Sequence, residues 1–154
     1  MGGCLLLGAM ASAGVIMDYS YIVTPFLAWF IAGISKFIIN SIKAGQLAFN
    51  LIGYGGLPSN HSAIVSSMAA LIAFKEGIGT PAFGVAITLA FIVMMDAASL
   101  RRQVGKHAMA INKMAEGFPD HQPLRERMGH TRMEIAAGIA VGIAVAVTVN
   151  AILA

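Results

Sequence analysis

Long apolar tracts govern what this chain can fold into, because each lies near the twenty or so residues that a helix needs to cross a hydrocarbon core of about 30 Å. Leu, Ile, Val, Ala, Met and Phe fill them. Only 11% of the 154 residues are charged, against roughly 25% in soluble domains. A soluble all-α bundle would need polar faces recurring every three to four residues, and Phe83 to Met95 has no such face. The expectation is one all-α domain over 1–154, a polytopic membrane bundle of about five transmembrane helices.

The spans are placed at about 2–17, 21–42, 58–74, 81–100 and 131–153. The first, Met1 to Met17, lacks the basic start of a signal peptide and is read as a retained membrane segment. Its Met-Gly-Gly-Cys opening has no Ser or Thr at position 6, which weakens a myristoylation signal. Cys4 is the lone cysteine, so no internal disulfide or thiolate zinc site can form. Tyr21 suits a membrane interface, whereas Trp29 falls mid-span as a packing residue. Gly53-Tyr54-Gly55-Gly56 reads as a tight turn, and Pro58 and Thr80-Pro81 open helices where a missing donor costs nothing. The polar stretch 101–129 holds an amphipathic segment, Lys106 to Met114, along the membrane surface, then a loop around Pro119 and Pro123.

Five alternating spans bring Lys36, Lys43, Arg101, Arg102, Lys106, Lys113, Arg125, Arg127 and Arg132 to one membrane face and leave only Lys75 opposite. The positive-inside rule makes that face cytoplasmic, although an anion site would call for some of the same cations whichever way it faced. Ionisable residues at span edges are expensive, and each is a functional candidate. Lys36, Asn40 and Lys43 share one helix stripe, where two ammonium groups attract an anion or snorkel to lipid head groups. Gly55 to Ser62 is a glycine-rich turn entering a helix N-terminus, which offers unpaired backbone donors to phosphate. Ser59 and Asn60 add hydrogen bonds and His61 adds a titratable proton. A capped helix start would account for the serine but not the histidine.

His130 and Glu134, four apart, share a helix face, so the carboxylate can hold one imidazole nitrogen and leave the other as nucleophile or base. Alone they could be a surface pair; with His61 on the same membrane face, a site is the better reading. Asp96 either orients Arg101 or Arg102 or forms a bare structural ion pair. His107, His121 and the ten methionines read as surface and packing residues. Two histidines and two scattered carboxylates give no metal-binding spacing, and the surrounding cations would repel Mg²⁺ or Zn²⁺. No metal, cofactor or nucleic-acid partner is expected, and a homo-oligomer is compatible with the composition.

Three stretches, Gly-Gly-Leu-Pro-Ser-Asn-His-Ser at 55–62, the block 92–106 containing Asp96-Ala-Ala-Ser-Leu-Arg101-Arg102, and Gly-His-Thr-Arg-Met-Glu-Ile-Ala-Ala-Gly at 129–138, carry a family resemblance. From about Tyr21 onward the chain resembles the divergent branch of the type 2 phosphatidic acid phosphatase and vanadium haloperoxidase superfamily. Pro58-Ser59-Asn60-His61 is similar to its Pro-Ser-Gly-His motif with Asn for Gly, which implies that His61 protonates the leaving group. The resemblance makes His130 the nucleophile, with Glu134 where the family has aspartate and Arg125 five residues before rather than six. Lys36, six residues, then Lys43-Ala44 keeps the spacing of a motif that ends in Arg-Pro, and Arg101 or Arg102 would substitute for the missing arginine.

The implied activity is metal-independent hydrolysis of a lipid phosphate or diphosphate through a phosphohistidine. Lys36, Lys43, Ser59, Asn60, Arg101, Arg102 and Arg125 would serve as phosphate ligands. Candidate substrates are a polyprenyl phosphate or diphosphate, phosphatidic acid and phosphatidylglycerol phosphate. The same anion site without turnover would give a lipid-phosphate binding or flipping protein. A purely structural subunit would not need two helix-end histidines.

Overall fold

The computed structural model describes residues 18–47, 56–118 and 121–153. The expected first span at 2–17, the turn at 53–55 and Pro119 lie outside them. The described residues form five α-helices and no strand: α1 (Ser20–Ala44), α2 (Asn60–Lys75), α3 (Pro81–Ala98), α4 (Leu100–Met114) and α5 (Arg132–Leu153).

Their ends follow local chemistry. The backbone N–H of Ser20 donates to Asp18 Oδ1 at 2.9 Å before α1, and α1 stops at Gly45 in the left-handed conformation, whose N–H donates to the Ile42 carbonyl. Ser59 caps α2 by accepting from the Ser62 N–H, and Thr80 caps α3 with Pro81 in its first turn. The surface segment expected at 106–114 begins earlier, at Leu100, because Leu100, Val104, Ile111 and Met114 recur on one helix stripe and carry the amphipathic period back through Arg101 and Arg102.

Three segments are long and apolar enough to cross a membrane, Ser20–Ala44, Pro81–Met114 (α3 with α4) and Arg132–Leu153. The 16 residues of α2 would reach roughly 24 Å at 1.5 Å per residue, short of the hydrocarbon core. This short helix is the hub of the bundle and packs against α1, α3 and α5. Large apolar side chains such as Ile22, Phe26, Phe30, Val85, Phe91 and Ile152 point outward, while the largest fully buried side chains are Leu71, Thr24 and four serines. That inversion of a soluble protein identifies lipid as the surrounding solvent.

Between helices in lipid, close packing of small residues and interhelical hydrogen bonds replace hydrophobic burial. α2 and α5 illustrate this. A Cβ on Gly138 would run into the Ser59 carbonyl, and one on Gly142 into Ser66 Oγ and the Ala63 carbonyl, so no other residue allows these backbones to come so close. At the end of the bundle opposite the histidines, Lys75 closes a clasp between α1 and α2. Its Nζ lies 2.7 Å from Asp18 Oδ2 and 5.7 Å from the centre of the Tyr21 ring. The lysine and the Ser20 hydrogen bonds hold the Asp18 carboxyl at about 2.

Candidate active site

Two helix N-termini converge at the other end. The Ser59 N–H donates to the Glu134 carbonyl at 2.9 Å, which joins the cap of α2 to the first turn of α5. Both positive helix ends therefore face one small region, a setting that favours an anion. His61 stands in the first turn of α2 and His130 immediately before α5. Their ring centroids are 6.1 Å apart, tilted by 56°.

His130 is held at two points. Its backbone N–H donates to the Ala97 carbonyl at the end of α3, 2.9 Å away. Glu134 Oε2 lies 3.2 Å from His130 Nδ1. The same oxygen accepts from the Thr131 N–H at 2.9 Å, while Thr131 Oγ1 accepts from the Glu134 N–H at 3.2 Å. Thr131 and Glu134 thus form a reciprocal capping box, and the carboxylate that starts the helix also orients the imidazole. The Thr131-x-x-Glu134 pattern is that box in the sequence, a role for Thr131 that the His130–Glu134 spacing alone does not suggest. With Nδ1 directed at Glu134, Nε2 is the ring nitrogen turned away from the carboxylate. The ring is 8% exposed; burial, with repulsion from Lys36 and Arg101, pushes its pKa below the ordinary 6.5 against the opposing pull of Glu134.

The cations divide into groups. Lys36, half-buried on α1, acts through space on Glu134 and on both histidines. Arg101 acts on both histidines as well, with its Nε 2.9 Å from Asp96 Oδ2, so of the two arginines Asp96 pairs with Arg101. The Arg102 side chain packs against Gly129, which sits at φ +82 where a Cβ would meet Arg102 and the Ala97 carbonyl. Arg125 lies on the segment leading to His130. Asn40 packs on Gly56 and, with Lys43, lines a pocket beside Glu134. Asn60 points toward Gly33 of α1. Ser59 is fully buried, its hydroxyl engaged by the Ser62 N–H and hydroxyl. Asn60 Oδ1 and His61 Nδ1 are buried without a hydrogen-bond partner, a cost that functional sites carry.

Residues 121–130 form a strap that runs back along α4. Asn112 fastens it: its Oδ1 accepts from the Leu124 N–H at 2.8 Å and lies 3.1 Å from His121 Nε2, and its Nδ2 donates to the Leu124 carbonyl and to Glu126 Oε1. Further along, the Glu126 carbonyl occupies the space a side chain at Gly105 would need. Nothing in the sequence marks Asn112, because its partners, two backbone groups of Leu124 and the side chains of His121 and Glu126, lie nine to fourteen residues away. Among the described residues, no three His, Cys, Asp or Glu side chains come together as a metal site would require.

A helical membrane protein with two helix-end histidines, one seated on a carboxylate, is the class that fold and site define. The chain belongs to the Divergent PAP2 family, whose profile matches residues 17–145. It is similar to the "Uncharacterized membrane protein YuiD" of Bacillus subtilis (strain 168), 32% identical over 129 residues that cover 73% of this chain and 82% of the relative. No solved structure matches the chain.

Proposed function

We propose that this protein is a multi-pass membrane hydrolase that cleaves a lipid phosphate or diphosphate without metal, its site on the cytoplasmic face. The observation that carries the reading is the pair of histidines whose ring centroids lie 6.1 Å apart, with only one of them seated on a carboxylate. That asymmetry matches a nucleophile opposite a general acid.

In the first step His130 Nε2 attacks phosphorus in line, an N–P bond forms, and the P–O bond to the lipid breaks. His61 delivers its proton to the departing oxygen. Glu134 accepts a hydrogen bond from Nδ1–H and stabilises the cationic phosphohistidine ring. In the second step a water attacks phosphorus, its proton passes to the now neutral His61, the N–P bond breaks, and orthophosphate leaves with both histidines restored. Lys36, Arg101 and the two helix ends offset charge on the equatorial oxygens, and such electrostatic stabilisation is the main source of rate enhancement in chemistry of this kind. Asp96 holds the Arg101 guanidinium, and Ser59 serves the site by capping α2.

Purified protein in detergent is expected to release phosphate from lipid phosphates in excess chelator and to be inhibited by vanadate, which adopts the five-coordinate geometry of the transition state. Activity abolished by chelation and restored by Mg²⁺ would refute the mechanism. Tight lipid-phosphate binding without release would leave a binding or flipping protein.

A further inference from the structure

Between the C-terminal end of α1 and the start of α5 lies an open pocket of about 490 Å³ whose lining includes Asn40, Lys43, Arg127, Thr131, Met133 and Glu134. It adjoins the histidines, because Glu134 forms part of its wall while its Oε2 holds His130 Nδ1. Its cations are not those that act on the histidines. Lys36 and Arg101 do so, whereas Lys43 and Arg127 line the pocket. Lys36 and Lys43 are seven residues apart, two turns on one face of α1, or about 10 Å along its axis.

Among the described residues the ion pairs engage Asp18, Asp96 and Glu134, none of them with Lys43 or Arg127. The pocket wall therefore carries two cations against the single carboxylate of Glu134, whose charge is already directed at His130 and the Thr131 N–H. A lipid monophosphate would use the first cation set and leave the second without a partner. A head group with two phosphates would engage both. Met133, 74% exposed, and Leu57 line the same pocket and give a lipid chain an apolar way out toward the bilayer.

We propose that this pocket is a second anion subsite in which Lys43 and Arg127 bind another phosphate of the head group, beyond the one attacked. The substrate class is then a lipid bearing two phosphate groups, either joined as a diphosphate or separated by a short polyol. This rests on the phosphatase reading for the identity of the attacked group, but the subsite can be tested without turnover.

The experiment is calorimetric binding of inorganic phosphate, inorganic pyrophosphate and 1,3-propanediol bisphosphate to full-length His130→Ala protein in detergent. At least one two-phosphate probe is expected to bind about tenfold or more tightly than phosphate, since charge-assisted contacts are the strong ones. Whichever probe gains more identifies the joined or the separated arrangement. Adding Lys43→Gln and Arg127→Gln should erase most of that gain, whereas Lys43→Arg and Arg127→Lys should retain it. Both side chains are exposed, so these changes leave the bundle intact, as the elution volume will report. Equal binding of all three probes, binding of none, or a gain that survives the double glutamine variant overturns the subsite. Phosphate release by the unmodified protein is scored separately, so failure of the phosphatase reading and failure of the subsite are told apart.

Discussion

The two histidines occupy equivalent places, each at the start of a helix, yet their surroundings differ. His130 has a carboxylate on Nδ1, whereas His61 Nδ1 is buried without a partner. A nucleophile cannot be bypassed by a better leaving group, but a general acid can. His130→Ala is accordingly expected to be inactive toward every substrate, while His61→Ala keeps more relative activity toward p-nitrophenyl phosphate than toward an alkyl phosphate. Glu134→Gln should fall between them, since an amide positions the ring but does not stabilise an imidazolium. Near wild-type turnover of p-nitrophenyl phosphate by His130→Ala would remove the nucleophile from the assignment. The direction of the His130 shift adds a pH prediction. Its pKa is depressed, so the neutral, attacking form persists below the ordinary 6.5, and activity is lost only as pH falls through the lower, folded-state value. The acid limb of kcat/KM should therefore lie below 6.5; a limb above that value would contradict the buried setting of the ring.

At the scale of elements, much of the bundle was legible because helix ends carry local signals. Thr80-Pro81 starts α3 where a cap and a proline predict it, and the expected spans at 21–42 and 131–153 correspond to Ser20–Ala44 and Arg132–Leu153. The length of α4 was harder to read, since Arg101 and Arg102 look like loop residues until the apolar stripe on the far side of the helix is followed through them. The histidines, Glu134 and the basic stripe of α1 stood out in the sequence because polar groups are conspicuous in apolar tracts. The strap did not, because the amide of Asn112 holds the Leu124 backbone and the side chains of His121 and Glu126, nine to fourteen residues away, and no sequence spacing marks such contacts. That fastening carries a prediction. Asn112→Ala removes bonds to both sides of Leu124 and to Glu126 and frees the segment that delivers His130. A misplacement of about 1 Å can cost on the order of a hundredfold in rate, so kcat should fall roughly ten- to a hundredfold, with thermal stability changed by less than about 1 kcal/mol at this surface site. An unchanged kcat would show that the Ala97 and Glu134 contacts suffice to place the histidine.

For the molecule as a whole, the two histidines and the Asp18–Lys75 clasp lie at opposite ends of the bundle, so its two ends differ in chemistry. After replacement of Cys4, cysteines at Lys43, Lys106 and Gln122 should be labelled from one side of the membrane and a cysteine at Gly79 from the other. Joint labelling of Gly79 and Gln122 from one side would break the topology. The interior built from alanine, serine and glycine has a further consequence for how this sequence can drift over generations. Phe26, Phe30, Val85 and Phe91 are all more than half exposed on the outer surface of the bundle and can be exchanged among apolar residues at little cost. Ala63 and Ala146 are fully buried, and a Cβ on Gly142 would run into Ser66 Oγ and the Ala63 carbonyl. A saturation scan should then find bulky residues replaceable and the smallest ones fixed, the reverse of a water-soluble enzyme. If Gly142→Leu were tolerated as well as Phe30→Leu, the close seating of α5 on α2 would be wrong. The same asymmetry means that divergent homologues should keep their pattern of small residues long after their large ones have changed.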